Sequence, residues 1–157
     1  EASVGGGIPI IRPLCTSLAQ EHIESITGIL NGTTNYILSK MENEGADFDT
    51  VLKRAQEKGY AERNPEADVC GYDAGRKIAI LASLAYGKNV DFADLYIEGI
   101  TQISKTDFEY AGKLGTTIKL FAKSLCRDGK YYAMVAPFLV KQQYRTYSMQ
   151  SLYMEIW

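Results

Sequence analysis

The chain has a single histidine, His22, and only three cysteines, Cys15, Cys70 and Cys126, with no Cys-x-x-Cys. One histidine argues against a histidine-rich zinc site. An odd, widely spaced cysteine set reads as reduced thiols in a cytoplasmic protein. Neither sign of charge is in surplus: 17 basic against 19 acidic residues give a formal net charge of −2. That balance leaves no broad basic face and argues against a nucleic-acid partner. No apolar run approaches the roughly 20 residues that span a bilayer, and no charged-then-apolar leader opens the chain, so no membrane partner is expected. The dinucleotide fingerprint G-x-G-x-x-G is also missing. The run Gly5-Gly6-Gly7 lacks its spacing and reads either as a hinge or as backbone able to approach a ligand closely.

What is present is a globular composition. At 157 residues, 46% hydrophobic and 23% charged, the chain suits one domain with a real core and is short for two. It opens on Glu1-Ala2-Ser3-Val4 without an initiator methionine, and reads as cut from something longer.

Ile23 to Leu30 roughly alternates apolar with polar residues and predicts a strand. Asn31-Gly32-Thr33-Thr34 follows, with Thr33 or Thr34 placed to cap a helix through Lys40 or Glu44. Backbone N–H groups at such a helix start can hold a carboxylate, although an ordinary capped turn has the same pattern. Asp47 or Asp49 opens a second amphipathic helix that stops at Gly59. Tyr60 to Asp68 reads as a polar loop broken by Asn64-Pro65. The strongest element is a helix from Tyr72 to Tyr86, ended by Gly87, with Ile78, Leu81, Ala82 and Ala85 as its apolar stripe. Phe92 to Ile103 reads as a loop with a short strand, and Thr106 to Leu114 as a short helix capped by Thr106. Strands Thr116–Leu125 and Tyr131–Val140 join through Asp128-Gly129, a dipeptide suited to a tight hairpin. The mixture lacks βαβ alternation. It predicts an α+β fold, with helices on one face of a largely antiparallel or mixed sheet.

The chemistry gathers between Ala55 and Lys77. Asp73 and Lys77 are four apart on the predicted helix and share a face. An exposed pair of this kind is common and contributes only a few tenths of a kcal/mol. Its setting is less common, because Glu62 and Asp68 lie on the loop just before the helix. Three carboxylates there would repel one another, and an ammonium ligand would relieve the repulsion. A lysine beside them can exchange a proton with an alcohol.

The string Ala55-x-x-x-Gly59-Tyr60-Ala61-Glu62-x-Asn64-Pro65-x-x-Asp68-Val69-x-Gly71-x-Asp73-x-x-x-Lys77 resembles the signature of homoserine dehydrogenases. Gly28-Ile29-Leu30-Asn31-Gly32-Thr33-Thr34-Asn35-Tyr36-Ile37-Leu38 resembles the family's second hallmark. Residues Glu1 to Ile10 resemble the junction that follows its nucleotide-binding domain. The resemblance covers roughly residues 1 to 140. It implies an NAD- or NADP-linked interconversion of L-homoserine and L-aspartate 4-semialdehyde in threonine and methionine biosynthesis. Lys77 then corresponds to the catalytic lysine and Asp73 to its acidic partner. Glu62 and Asp68 correspond to carboxylates that hold the amino-acid substrate, with Tyr60, Gly32 and Thr33 nearby. Backbone carbonyls of Glu1, Val4, Gly6 and Ile8 fall where the family binds a monovalent cation such as sodium. This half of the family's chain also builds the subunit interface, which implies a homodimer.

The resemblance also implies a Rossmann domain before Glu1, without which the chain should hardly bind NAD or NADP. After Ala136-Pro137-Phe138-Leu139-Val140 the family runs on toward Phe-Asn-Ala-Ile-Phe-Val-x-Gly. Here the chain ends in Ser148-Met149-Gln150-Ser151-Leu152-Tyr153-Met154-Glu155-Ile156-Trp157. Codons for Phe-Asn-Ala-Ile-Phe-Val-His-Gly-Asn-Met can be chosen that, read one base later, spell those ten residues. Residues 141–157 are therefore expected to be a frameshifted tail without selected structure. Two rival readings are a non-catalytic dimerisation or amino-acid-binding module, and a Schiff-base enzyme at Lys77. Asp73 speaks against the second by keeping that lysine charged.

Overall fold

A computed structural model describes residues 3–141 and the backbone of 152–156. The first strand, β1 (Ile23–Gly28), buries Ile23 and Ile26. Three residues, Ile29 to Asn31, then lead into helix α2 (Gly32–Glu44). Helix α3 (Phe48–Glu57) packs beside α2, and its first turn is capped by Asp47, whose side chain accepts the Thr50 N–H. Helix α5 (Tyr72–Tyr86) starts and stops where expected, between Gly71 at φ 84° and Gly87 at φ 62°. Its buried residues Ala74, Ile78, Leu81 and Ala82 recur at helical spacing. Removing a Leu or Ile side chain of this kind from water contributes about 1.5–3 kcal/mol.

Two long strands, β3 (Thr116–Arg127) and β4 (Lys130–Lys141), pair antiparallel along their whole length, from Thr116 opposite Lys141 to Arg127 opposite Lys130. Asp128 and Gly129 both have positive φ, 52° and 70°, as a two-residue hairpin turn that matches the strand twist requires. Against this hairpin lie β1, antiparallel to β3, and the short β2 (Tyr96–Ile97), parallel to β4. A strand β5 (Leu152–Ile156) pairs antiparallel with the outer edge of β1. The sheet order is β2-β4-β3-β1-β5. The expectation of an α+β fold with a mainly antiparallel, mixed sheet holds.

Ile118, Leu120 and Ala122 of β3 and Val135 of β4 join Ile37, Leu38 and Met41 of α2 and Ile78 and Leu81 of α5 in one core. Helix α6 (Lys105–Lys113) adds Phe108 and Ala111 to it. The residues in between point to the other side of the hairpin. There Lys123 lies opposite Met134, and Leu125 opposite Tyr132. Among the described residues, no helix is long and apolar enough to cross a membrane.

Several local expectations need correction. The cap of α2 is Asn31, whose Oδ1 accepts the Thr34 N–H at 2.9 Å; neither Thr33 nor Thr34 caps it. Asparagine in an extended conformation reaches the third helical N–H well, and threonine ranks lower at this position. The cap of α6 is Ser104, two residues before the expected Thr106. Ser104 and Asp107 form a reciprocal capping box. The polar stretch Tyr60–Asp68 ends in a single helical turn, α4 (Glu66–Val69), entered through Pro65. Proline tolerates a helix start because the N–H it lacks would have no partner there. A short helix, α1 (Ile11–Cys15), also escaped the periodicity, being one turn and a half long. Strand β5 falls within the expected tail, of which residues 142–151 and 157 lie outside the described residues. Backbone pairing uses N–H and C=O groups common to every residue, so an open edge of β1 can recruit it whatever the side chains.

Candidate active site

The end of β1, the start of α2 and the start of α5 meet at one point. Lys77, on the first turns of α5, places its Nζ 2.6 Å from Asp73 Oδ2 and donates at 3.0 Å to the carbonyl of Leu30. An i,i+4 pair on a helix surface contributes too little to explain its own presence. The bond to Leu30, 47 residues away, is the distinguishing feature: it pulls the lysine inward over the end of β1. The Lys77 and Asp73 side chains remain 24% and 30% exposed, so the pair stays open to a ligand.

Asn31 holds the centre. Its Nδ2 donates to Asp68 Oδ1 at 2.7 Å and to Asp73 Oδ2 at 2.8 Å. Asp68 comes from α4, whose position is set by a close approach of the loop after β2. There the Ile100 N–H donates to the Val69 carbonyl at 2.8 Å. Two of the three expected carboxylates are thus brought together, bridged by an amide. Glu62 is the exception. Its carbonyl accepts from Gln56 Nε2 at 3.0 Å, while its carboxylate is exposed and makes no hydrogen bond among the described residues.

Gly32 and Thr33 form the first turn of α2, beside this cluster. The Thr33 hydroxyl donates to the Tyr60 carbonyl at 2.8 Å, drawing the Tyr60 loop against the helix start. The Tyr60 ring, 57% exposed, meets the edge of Tyr36 at 5.0 Å. Of the five residues expected to hold the substrate, Asp68 is joined to Asp73 through Asn31, Gly32 and Thr33 follow Asn31 in α2, Tyr60 is tied to Thr33, and the Glu62 carboxylate makes no hydrogen bond among the described residues. Asn31 and the Leu30 carbonyl are the site groups that the sequence reading missed. A preference for asparagine at helix caps would have placed the cap at Asn31. No local pattern announces its bonds to residues 37 and 42 positions away.

At the amino-terminal end, Gly5 and Gly6 take left-handed conformations, and the Ile8 N–H donates to the Gly5 carbonyl at 2.9 Å. A Cβ on Gly5 would stand 2.8 Å from the Ile8 carbonyl oxygen. Val4, Gly6 and Ile8, three of the four residues expected to offer carbonyls to a cation, lie in and beside this tight turn. Glu1 lies outside the described residues. Among the described residues no group of three or more His, Cys, Asp or Glu side chains could hold a metal. The chain contains no G-x-G-x-x-G spacing.

A family model described as homoserine dehydrogenase matches residues 9–156. The homoserine dehydrogenase of Synechocystis sp. is 62% identical over 122 residues, which are 78% of this chain and 28% of that protein. The homoserine dehydrogenase of Bacillus subtilis is 46% identical over 140 residues, 89% of this chain and 32% of that protein. The crystal structure of a homoserine dehydrogenase from Thiobacillus denitrificans superposes with a TM-score of 0.94 at 39% identity, covering 99% of this chain and 37% of that one. The chain spans about a third or less of the length of these curated relatives.

Proposed function

The chain belongs to the homoserine dehydrogenase family, and on that footing we propose that it is the substrate-binding and proton-transfer region of an enzyme that interconverts L-homoserine and L-aspartate 4-semialdehyde. The reaction would serve threonine and methionine biosynthesis in the cytoplasm, with NADP or NAD as hydride carrier. The observation that carries the reading is Lys77 Nζ, held between Asp73 and the Leu30 carbonyl beside a second carboxylate. Two of its three hydrogens have protein partners and the third is left for a substrate oxygen. In the oxidising direction the amine takes the hydroxyl proton, and in the reducing direction the ammonium returns it. Asp73 steadies the charge on Lys77. Asp68 and the exposed Glu62 draw in the α-ammonium group, with Tyr60 at the rim. The N–H groups of Gly32 and Thr33, without a partner among the described residues and at the positive end of α2, suit the α-carboxylate. Carbonyls of Val4, Gly6 and Ile8, with Glu1, would hold a sodium ion as a structural tie.

The described residues offer no dinucleotide cradle, so nucleotide binding would fall to another part of a longer protein. The partly apolar outer face of the β3–β4 hairpin, with Leu125, Tyr132, Met134 and Phe138, suits a homodimer interface. For residues 141–157 a shifted reading frame remains the proposal. It predicts genomic DNA that spells Phe-Asn-Ala-Ile-Phe-Val-x-Gly in the neighbouring frame, and DNA that does not would overturn it.

The enzymatic reading is tested in a chimera in which residues 3–141 replace the matching segment of the Synechocystis enzyme. L-homoserine-dependent reduction of NADP or NAD is expected. Lys77→Ala should lower kcat about 100-fold or more, the usual cost of removing a general acid–base group. Turnover unaffected by Lys77→Ala would take the proton-transfer role away from this lysine. No turnover in the unsubstituted chimera would favour a binding or dimerisation module.

A further inference from the structure

Asn31 touches both carboxylates of the site, and its orientation leaves no alternative. Its Oδ1 accepts the Thr34 N–H at 2.9 Å, so the NH2 end must face the acids. One amide hydrogen goes to Asp68 Oδ1 and the other to Asp73 Oδ2, at 2.7 and 2.8 Å. The residue is 5% exposed, which leaves water little room to compete for those hydrogens. Both acceptor oxygens bond to a single nitrogen, and this fixes the separation of the two carboxylates.

Each carboxylate is therefore anchored through one oxygen. The second oxygens, Asp68 Oδ2 and Asp73 Oδ1, have no hydrogen-bond partner among the described residues. Two carboxylates face one lysine in this cluster, a balance that favours a cationic ligand. A third carboxylate at position 31 would upset that balance, and a hydroxyl would be too short to reach both acids.

Capping alone does not require asparagine. Serine, threonine or aspartate would also accept the Thr34 N–H. Of these residues only asparagine combines a capping acceptor with two donors.

We propose that Asn31 is a positioning residue of this site: its amide fixes Asp68 beside Asp73, so that the free oxygen of Asp68 stands where the α-ammonium group of the substrate is drawn in, while Asp73 stays aligned on Lys77. The proposal rests on the substrate reading above. It extends that reading to a residue that touches the acids and lies away from the reacting atoms.

The first test needs no ligand. In NMR spectra of the chain, the two Asn31 side-chain amide protons are expected to be shifted downfield and protected from exchange. Asp68→Ala should move one of them upfield and relax its protection. A residue that only caps α2 would show no response to Asp68→Ala, and that result overturns the proposal.

The second test uses the chimera with Asn31→Ser and Asn31→Asp, which both keep a capping acceptor. The KM for L-homoserine should rise about tenfold or more in each, as expected for losing hydrogen bonds to charged groups. For Asn31→Ser, kcat should stay within about threefold, because Lys77 retains the Leu30 carbonyl and Asp73. The KM for the nicotinamide dinucleotide should not change. An unchanged KM for L-homoserine in the folded Asn31→Ser variant, or equal losses in every parameter, overturns the proposal. If the unsubstituted chimera shows no turnover, the substrate reading fails, and the NMR response decides whether Asn31 sets the spacing of the acids.

Discussion

Gly99 stands where the loop after β2 presses on the turn that carries Asp68. A Cβ there would lie 2.2 Å from the Val69 carbonyl oxygen and 2.5 Å from the Cys70 Cα. Both obstacles are backbone, so neither can swing aside as a side-chain tip would. Gly99→Ala must therefore push α4 away and break or stretch the Ile100–Val69 bond. We expect a loss of about 1–3 kcal/mol in denaturant unfolding, the range for overpacked interiors. In the active chimera a raised KM for L-homoserine should accompany it, because Asp68 moves with α4. An unfolding midpoint equal to wild type would show that α4 is not held in this way.

At the scale of single elements, the helix ends separate what is local from what is not. Ser104 and Asp107 form a capping box at α6, and each partner is satisfied by the other. Ser104→Ala should cost about 1 kcal/mol at neutral pH. Part of that cost depends on pH. Hydrogen bonds from the Ser104 hydroxyl, and then from its backbone N–H, hold the Asp107 carboxyl below its ordinary value of 3.8. An acid with a depressed folded-state pKa adds stability above its unfolded value and loses it as pH falls through the folded one. The stability gap between wild type and Ser104→Ala should therefore be full at pH 7 and narrow below about pH 4. Thermal unfolding at pH 7 and pH 3 reads this directly, and an equal gap at both would remove the carboxylate from the account.

Elements of this kind were legible in the sequence to different depths. Helix α5 is legible close to its observed bounds because Gly87 closes a strong apolar stripe. The β3–β4 hairpin was read from Asp128-Gly129, with its strands only slightly short. Helices α1 and α4 are too brief for a 3.6-residue period to register. The caps of α2 and α6 were misplaced by two or three residues, because polar neighbours competed for the same role in the pattern.

At the scale of the molecule, the described residues cover one face of the sheet with helices and leave the other open. The helices lie over Ile118, Leu120, Ala122 and Val135. The opposite side of the hairpin presents Tyr132 at 57% exposure, together with Met134 and Phe138. If this face pairs two copies, Met134→Glu places a charge in its middle and should convert a dimer to a monomer in sedimentation experiments, with the fold kept. Wild type sedimenting as a monomer, or a dimer that survives Met134→Glu, would assign the face to something else.

The sequence by itself determined what is periodic or adjacent: the class of fold, the bounds of α5, the hairpin, and the placing of Asp73 and Lys77 on one helical face. Its motifs also sufficed to recognise the family. Only the tertiary structure decided which of the three acids converge, that Asn31 joins two of them, and that the Leu30 carbonyl draws Lys77 inward. The reason is physical. Helical and strand periods follow from backbone geometry that each short segment carries within itself. Hydrogen bonds across 37, 42 and 47 residues exist only after α2, α4 and α5 have packed together, and no short window of sequence contains both ends of any of them.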